Sequence, residues 1–180
     1  MLQLERFTEG DFALLISWVN SAEALMQFAG PGFSFPLTIE QLASNLGEEK
    51  RNCYKVVVSP QRTAIGYCEI VVPDQQTAVL CRILIGEPMN RGKGLGFEIV
   101  RQLLRIVFYD LRRTRAELFV FDWNTPAVRC YEKSGFVTGP AKNKTREIAG
   151  EKWTALNMSI DVSVWNNQQA ITRRSARQGP

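Results

Sequence analysis

The sequence predicts one mixed α+β domain over residues 1–161, and three observations support this prediction. Apolar residues recur at helical spacing before residue 50, at strand spacing from Cys53 to Ile85, and at helical spacing again after a glycine-bearing loop. The central strands are joined by short polar connections, which favours an antiparallel meander. A chain of 180 residues is long enough to bury one core of its own.

The N-terminal part predicts a strand and two helices. Residues 2–4 alternate between apolar and polar, as in a short strand, and the apolar residues of 12–19 then recur at helical spacing. A segment rich in Gly, Pro and Phe, 28–36, ends this region. Thr38 is a suitable N-cap for the next helix, and Gln41 stands where the partner residue of a capping box is expected.

The central part predicts the meander and a long helix. The three strands are Cys53–Val58, Thr63–Val72 and Thr77–Ile85. A loop, Gly86–Gly94, leads into a helix of about 16 residues that ends near Arg112. Another strand follows at Glu117–Phe121.

The C-terminal part predicts a short helix from Thr125 that stops at Gly135, because Pro stands at its start and Gly at its end. Strands at Phe136–Thr138 and Trp153–Ile160 then close the domain. Residues 162–180 contain three arginines and no acid among polar residues. We expect this segment to be a solvated or disordered basic tail.

Composition excludes several kinds of chemistry. There is no histidine, which excludes Ser-His-Asp and Cys-His relays and His-ligated zinc, so we expect no metal site. The four cysteines form no C-x-x-C pattern, which favours buried free thiols in a reducing compartment such as the cytoplasm. No apolar stretch approaches the length of a membrane span. The net charge is +4 and is concentrated in the tail. This charge is only weak evidence for a nucleic-acid partner.

The glycine-bearing loop contains the clearest chemical signal. Residues 90–96 place three glycines between a strand and a helix, where unobstructed N–H groups and the positive end of the helix can bind an anion. The Walker A pattern does not fit, because Gly94 stands where Ser or Thr must hold magnesium. The dinucleotide fingerprint does not fit either, because the glycines follow a G-x-G-x-G spacing after a meander strand.

Two motifs together resemble a known family. Arg91-Gly-Lys-Gly94-Leu-Gly96 matches R/Q-x-x-G-x-G/A, the pyrophosphate loop of the GCN5-related N-acetyltransferases (GNAT). Residues 124–136 match that family's N-x-x-A-x-x-x-Y-x-x-x-G-F segment at every fixed position. The resemblance covers most of 1–161. Weaker features, among them Trp18, further resemble the branch that includes ribosomal-protein alanine N-acetyltransferases and spermidine acetyltransferases.

The resemblance implies a GNAT fold, a central mixed and mostly antiparallel sheet of about seven strands, flanked by helices and splayed at a V-shaped cleft. Acetyl-CoA would lie where strands Thr77–Ile85 and Glu117–Phe121 separate, and an amine would attack it directly in a ternary complex. The residues implied to bind acetyl-CoA are Leu84, Ile85, Gly86, Arg91, Gly92, Lys93, Gly94, Leu95, Gly96, Asn124, Arg129 and Tyr131.

Two of these residues are also implied in catalysis. Tyr131 would protonate the departing CoA thiolate; without the motif, a packed Tyr with its hydroxyl bonded to backbone is the simpler interpretation. Asn124 would contact the pantetheine arm or a bound water; the alternative is an Asx turn before Pro126.

The general base is open at this stage. Glu69 stands on an otherwise apolar strand face, so it needs either a partner or a catalytic role. The two interpretations are that Glu69 deprotonates the substrate ammonium, or that it forms a cross-strand pair with Arg82. Glu87 and Asp122, at strand ends beside the expected cleft, are weaker candidates.

The acceptor is also open. We expect it to bind against segments 28–36 and Val137–Trp153, where aromatic residues could line a pocket or simply form core. The candidate residues are Phe28, Phe33, Phe35 and Trp123. A protein N-terminal amine, a polyamine, an aminoglycoside or another small amine would fit, and a homodimer is compatible with the sequence. The alternative function is a regulatory module that binds acetyl-CoA without transferring the acetyl group.

Overall fold

The computed structural model describes residues 1–139, 142–148 and 150–177, which form one sheet with helices on both faces. Its strands are β1 (Leu2–Arg6), β2 (Arg51–Val58), β3 (Thr63–Val71), β4 (Thr77–Ile85), β5 (Arg115–Phe121), β6 (Val137–Thr138), β7 (Lys144–Ile148) and β8 (Glu151–Asp161). Its α-helices are α1 (Phe12–Trp18), α2 (Ala22–Ala29), α3 (Ile39–Leu46), α4 (Leu95–Arg105), α5 (Thr125–Lys133) and α6 (Val162–Arg177).

The sheet has the order β1-β2-β3-β4-β5-β8-β6, and β7 pairs with β8. Every pairing is antiparallel except that of β4 with β5. The predicted mixed, mostly antiparallel sheet and its central meander are therefore confirmed. The described strands number eight, one more than the approximate expectation, because β7 was not predicted.

The parallel pair opens partway along its length. Residues of β4 pair with β5 only from Thr77 to Leu80, although β4 runs on to Ile85 and β5 to Phe121. Beyond the pairing, β4 bulges at Arg82, whose φ of 49° is left-handed, and it remains paired with β3. A bulge bends the strand that contains it. The distal half of β4 therefore stays with β3 while β5 departs, which leaves a cleft between two neighbouring strands.

The two sheet faces have separate cores, because consecutive strand residues point to opposite faces. Tyr54 and Cys68 pack with α4 in the larger core, whereas their neighbours Cys53 and Tyr67 pack with α1, α2 and α3. The buried stripe of α4 is Ile99, Val100, Leu103 and Leu104. The cleft between β4 and β5 thus has α4 on one face and the three N-terminal helices on the other.

The start of α3 follows the capping prediction in part. The Thr38 hydroxyl accepts from the backbone N–H of Gln41 at 3.3 Å. The Gln41 side chain instead donates to the carbonyls of Ser34 and Pro36, each at 3.0 Å. It therefore ties the 28–36 segment to α3 and leaves the reciprocal half of the capping box unmade.

Three elements differ from the sequence expectations. Ala22–Ala29 forms α2, whose N-cap Ser21 accepts from the N–H of Ala24 at 3.0 Å. Lys144–Ile148, for which the sequence predicted no regular element, forms strand β7. The long helix is α4 followed by a π-helical turn, Ile106–Asp110.

The expected basic tail is corrected by α6. The segment that starts at Val162 is helical as far as Arg177, and residues 178–180 lie outside the described residues. Trp165 is 1 % exposed and packs in the larger core near Phe108, with ring centroids 6.2 Å apart. Burial of this one large ring fixes the start of a helix whose composition is otherwise polar.

Candidate active site

The glycine loop presents free backbone donors before α4. Gly92 and Gly94 have φ values of +73° and +77°, a conformation that residues with a Cβ rarely adopt. A Cβ at either position would meet nothing within 4 Å, so open space surrounds the loop. The N–H groups of 92–94 make no backbone hydrogen bond within the described chain. They are therefore available to an anion at the positive end of an eleven-residue helix.

Arg91 holds this loop against the end of β4. Its guanidinium donates to the carbonyl of Ile85 at 3.2 Å and to that of Gly86 at 3.3 Å. The Arg91 side chain therefore fixes the separation between the loop and the strand edge, and its backbone belongs to the loop that the resemblance implies for CoA.

Gly86 allows α1 to approach the end of β4. A Cβ on Gly86 would lie 2.1 Å from Cδ2 of Trp18, a distance that no real contact shows. The indole nitrogen of Trp18 is buried and makes no hydrogen bond within the described residues. Trp18 therefore forms one wall beside Gly86. Gly86 directly follows Leu84 and Ile85, the two β4 residues that the resemblance implies to bind acetyl-CoA.

Asn124 precedes α5 and does not form an Asx turn. It is the N-cap residue, yet its side chain makes no capping hydrogen bond. Its backbone carbonyl accepts from Ala127 at 3.0 Å and from Val128 at 3.1 Å, which shapes the first turn of the helix. The half-buried amide side chain is therefore free for another partner at the end of β5.

Tyr131 lies on α5 with its hydroxyl unbound. Its ring packs against Phe136, with the ring centroids 6.0 Å apart. The hydroxyl oxygen makes no hydrogen bond within the described residues and is not fully enclosed. Burial raises the pKa of Tyr131 above its usual value, and the thiols of Cys130 and Cys81 act in the same direction. Cys81 belongs to β4, so these neighbours locate Tyr131 beside the cleft. The hydroxyl remains protonated at neutral pH and is free to donate.

Glu69 is held by four partners and is not available as a base. Its side chain is fully buried, and it accepts from Tyr67 at 2.6 Å, from Asn45 at 3.0 Å, from Arg82 at 2.9 and 3.0 Å, and from Arg51. A carboxylate between two guanidinium groups has no free lone pair for a substrate proton. The structure therefore corrects the catalytic interpretation of Glu69 and supports the alternative, the ion pair with Arg82.

Glu87 and Asp122 remain as carboxylates near the cleft. Both are exposed, and they lie just past the ends of β4 and β5. Asp122 accepts from the backbone N–H of Trp123 at 2.9 Å, which fixes its carboxylate two residues before Asn124.

The four aromatic candidates for the acceptor side do not form one pocket. Phe28 is buried in the smaller core beside Tyr67, and Phe33 lies under the Arg82 guanidinium, 4.0 Å from it. Phe35 is exposed. Trp123 lies instead at the end of β5, stacked on Phe121. Of segment Val137–Trp153, residues 140, 141 and 149 lie outside the described residues.

The arrangement fits acetyl-CoA. The open glycine cradle offers N–H groups to a diphosphate, and the β4 edge beyond Leu80 is unpaired towards β5, as an extended amide-bearing arm requires. A Cβ on Gly96 would lie 3.6 Å from Sγ of Cys130, so the start of α4 packs against α5. Arg129 is exposed on α5 and forms no ion pair within the described chain, so it is free for a phosphate.

Comparison with known proteins agrees with this geometry. Residues 1–137 match the family model described as an acetyltransferase (GNAT) domain. The chain is 29% identical over 147 residues to an aminoglycoside N(6')-acetyltransferase type 1 of Klebsiella pneumoniae, covering 74% of this chain and 72% of that protein.

Solved structures share the fold at low identity. A spermidine N-acetyltransferase from Vibrio cholerae, in complex with CoA and spermine, has a TM-score of 0.76 at 23% identity, over 91% of this chain and 97% of that one. The aminoglycoside acetyltransferase AAC(6')-Ib, in complex with coenzyme A and kanamycin, has a TM-score of 0.72 at 23% identity, over 94% of this chain and 99% of that one.

This geometry is that of an acyl-CoA-dependent transferase: the β4–β5 pair is splayed, a glycine loop precedes α4, and α5 carries a tyrosine. The chain belongs to the GNAT acetyltransferase family, whose members transfer an acetyl group from acetyl-CoA to amines. Within the described residues, no cluster of three or more metal-ligating side chains occurs, and no helix is long and apolar enough to cross a membrane.

Proposed function

We propose that this protein acetylates a primary amine of a small polyamine or aminoglycoside by direct attack on acetyl-CoA in a ternary complex. The observation that supports it most is the β4–β5 opening, where the pairing stops at Leu80 while both strands continue. Unpaired strand edges are costly when buried, at about 1–3 kcal/mol for each polar group, so this edge is built to bind an extended ligand.

The N–H groups from Gly92 to Gly96 bind the diphosphate, and Arg129 neutralises a further phosphate. Backbone groups at Leu84 and Ile85 bind the pantetheine amides, and one N–H there polarises the thioester carbonyl. Bound acetyl-CoA supplies an activated acyl group and a thiolate leaving group. Asn124 orients the arm at the end of β5.

Tyr131 donates a proton to the leaving thiolate, because its hydroxyl is protonated and unbound. A covalent thiol intermediate is not required: burial raises the pKa of Cys81 to about 11, so this neighbouring thiol is not ionised at neutral pH. Direct attack by the amine needs no protein nucleophile.

We assign removal of the ammonium proton to Asp122, the exposed carboxylate nearest Asn124 in the chain. Asp122→Asn should lower kcat/KM at pH 7 by about 10²-fold, and the loss should shrink towards pH 10, where amines with a pKa of about 10 lose the proton unaided. The pH profile of turnover measures this. Glu87→Asn is the matched control, and an equal loss in both variants would contradict the assignment.

The relatives support the proposed acceptor class. The aminoglycoside N(6')-acetyltransferase of Klebsiella pneumoniae covers most of this chain, and the Vibrio cholerae structure with spermine shares its fold. A protein N-terminal amine, which the resemblance to ribosomal-protein acetyltransferases suggests, is the competing acceptor. A cytoplasmic reaction is consistent with the four free cysteines.

The decisive experiment measures thiol release from acetyl-CoA with kanamycin, spermidine and a peptide with a free N-terminus. We expect release with kanamycin or spermidine and none with the peptide. Acetyl-CoA that stabilises the fold without release for any amine would instead support the regulatory module. Acetyl-CoA that fails to stabilise the fold at all would overturn the proposal.

A further inference from the structure

Three aromatic rings meet at the end of β5. The rings of Phe121 and Trp123 stack at 5.7 Å with 6° between their planes, and Trp153 of β8 stands steeply against both, 5.0 Å from each centroid. We call these three residues the aromatic corner. Phe121 follows Val120, a residue of the core formed with α4, so the corner lies on the opposite sheet face.

The aromatic corner is not core packing. Trp123 is 44% exposed, and both Phe121 and Trp153 are only half-buried. Exposed aromatic patches of this kind mark binding surfaces.

A carboxylate flanks the aromatic corner. The indole N–H of Trp153 donates to exposed Glu151 at 3.4 Å. Ring faces beside carboxylates attract ammonium groups, and Trp is the strongest of the aromatic partners. A bond from the indole N–H to a carboxylate adds electron density to that ring.

The same strand already holds an ammonium in this way. Nζ of Lys144 lies 4.6 Å from the ring centroid of Phe119, two residues before Phe121 and on the same face. The other nearby amine, Lys142, is paired with Glu117 at 2.8 Å. Both of these amines therefore have partners, and no cationic side chain that the structure describes lies over a ring of the aromatic corner.

The aromatic corner lies next in the chain to Asn124, which the proposed mechanism uses. Trp123 directly precedes Asn124, and α5, which carries Tyr131, begins at the next residue. A ligand that places one amine at the end of β4 can therefore rest a second cationic group on the corner.

We propose that the aromatic corner binds a second ammonium group of the acceptor and so selects amines that carry several cationic groups over monoamines. This inference rests on the proposed function. Several ammonium groups are shared by flexible polyamines and by amino sugars, so both serve as probes.

The test compares acceptors in the Trp123→Ala variant of the full chain. Thiol release is measured with spermine, kanamycin and n-butylamine at saturating acetyl-CoA. We expect KM for spermine or kanamycin to rise about tenfold, and KM for n-butylamine and acetyl-CoA to stay unchanged. Trp123→Phe keeps a ring and should lose less. Tyr109→Ala, at a ring equally 44% exposed but on the π-helical turn, is the matched control and should change neither.

An equal rise in KM for all three amines, or no rise for any, overturns the inference and leaves the acetyltransferase function intact. Loss of a dimer in Trp123→Ala by light scattering overturns it too, because the corner is then a contact between copies. If no amine is acetylated, the proposed function fails by itself. In that case, tryptophan fluorescence titrated with spermine and kanamycin tests the corner alone. A response that is lost in Trp123→Ala supports binding at the corner, and identical responses of the wild-type protein and the variant overturn it.

Discussion

The Tyr131 hydroxyl is the proton donor that the mechanism depends on. Tyr131→Phe should lower kcat by about 10²–10⁴-fold and leave KM for acetyl-CoA nearly unchanged, because the ring still packs on Phe136 while the proton is lost. Since burial raises its pKa, the hydroxyl keeps its proton below and somewhat above the usual value of about 10. Turnover should therefore not fall between pH 7 and 9.5 through its ionisation. Single-turnover kinetics across this range test it; unchanged kcat in the variant would contradict the role.

Glu69 instead has a structural role. Glu69→Gln should destabilise the fold by about 3–5 kcal/mol, because it leaves the guanidinium groups of Arg51 and Arg82 without their buried counter-charge. Urea denaturation measures the loss. Glu48→Gln removes an exposed partner of the same Arg51 and should cost no more than about 1 kcal/mol. A Glu69→Gln variant of normal stability but without turnover would restore Glu69 as the base.

The residue scale also shows where sequence reasoning ends. The alternative that paired Glu69 with Arg82 was correct because their strands are neighbours and register could be estimated. Asn45 and Arg51 come from α3 and β2, and only the assembled fold brings them to the same carboxylate. The motif implies Arg91 as a CoA-binding residue, but it does not predict that the guanidinium donates to the carbonyls of Ile85 and Gly86.

Among the elements, the glycine loop is the most sensitive to backbone change. Gly94→Ala should cost about 1–2 kcal/mol, since a Cβ disfavours its φ of +77°. The strained loop should also bind acetyl-CoA more weakly, so the cosubstrate should raise the melting temperature less. Gly47→Ala is the control: its φ is −75°, and its Cβ would meet carbonyl oxygens at an ordinary 3.5 Å. Thermal denaturation with and without acetyl-CoA compares the two; equal shifts would contradict the phosphate cradle.

Elements with a local signal were predictable, and those stabilised by distant contacts were not. The meander, the glycine loop and α5 have periodicity, glycines or a proline at their boundaries. The helix α2 has only Ser21 as a cap and Glu23 in its first turn, a signal that could have been recognised. The strand β7 exists because it pairs with β8, from Lys144 opposite Ala155 onwards, which no local pattern announces.

At the scale of the whole molecule, the α4 face of the sheet is completed by the segment that was expected to be a tail. Trp165→Ala should destabilise the protein by about 3–5 kcal/mol, because it removes a ring that is 1% exposed and packs beside Phe108. Val164→Ala, one residue earlier and 43% exposed, should change the free energy of unfolding by less than about 0.5 kcal/mol. Urea denaturation followed by far-UV circular dichroism compares the variants. Because Tyr131 also packs against this core, the Trp165→Ala variant should lose acetyl-CoA binding only as it unfolds. Equal stability of the Trp165→Ala and Val164→Ala variants would mean that α6 contributes nothing to the fold.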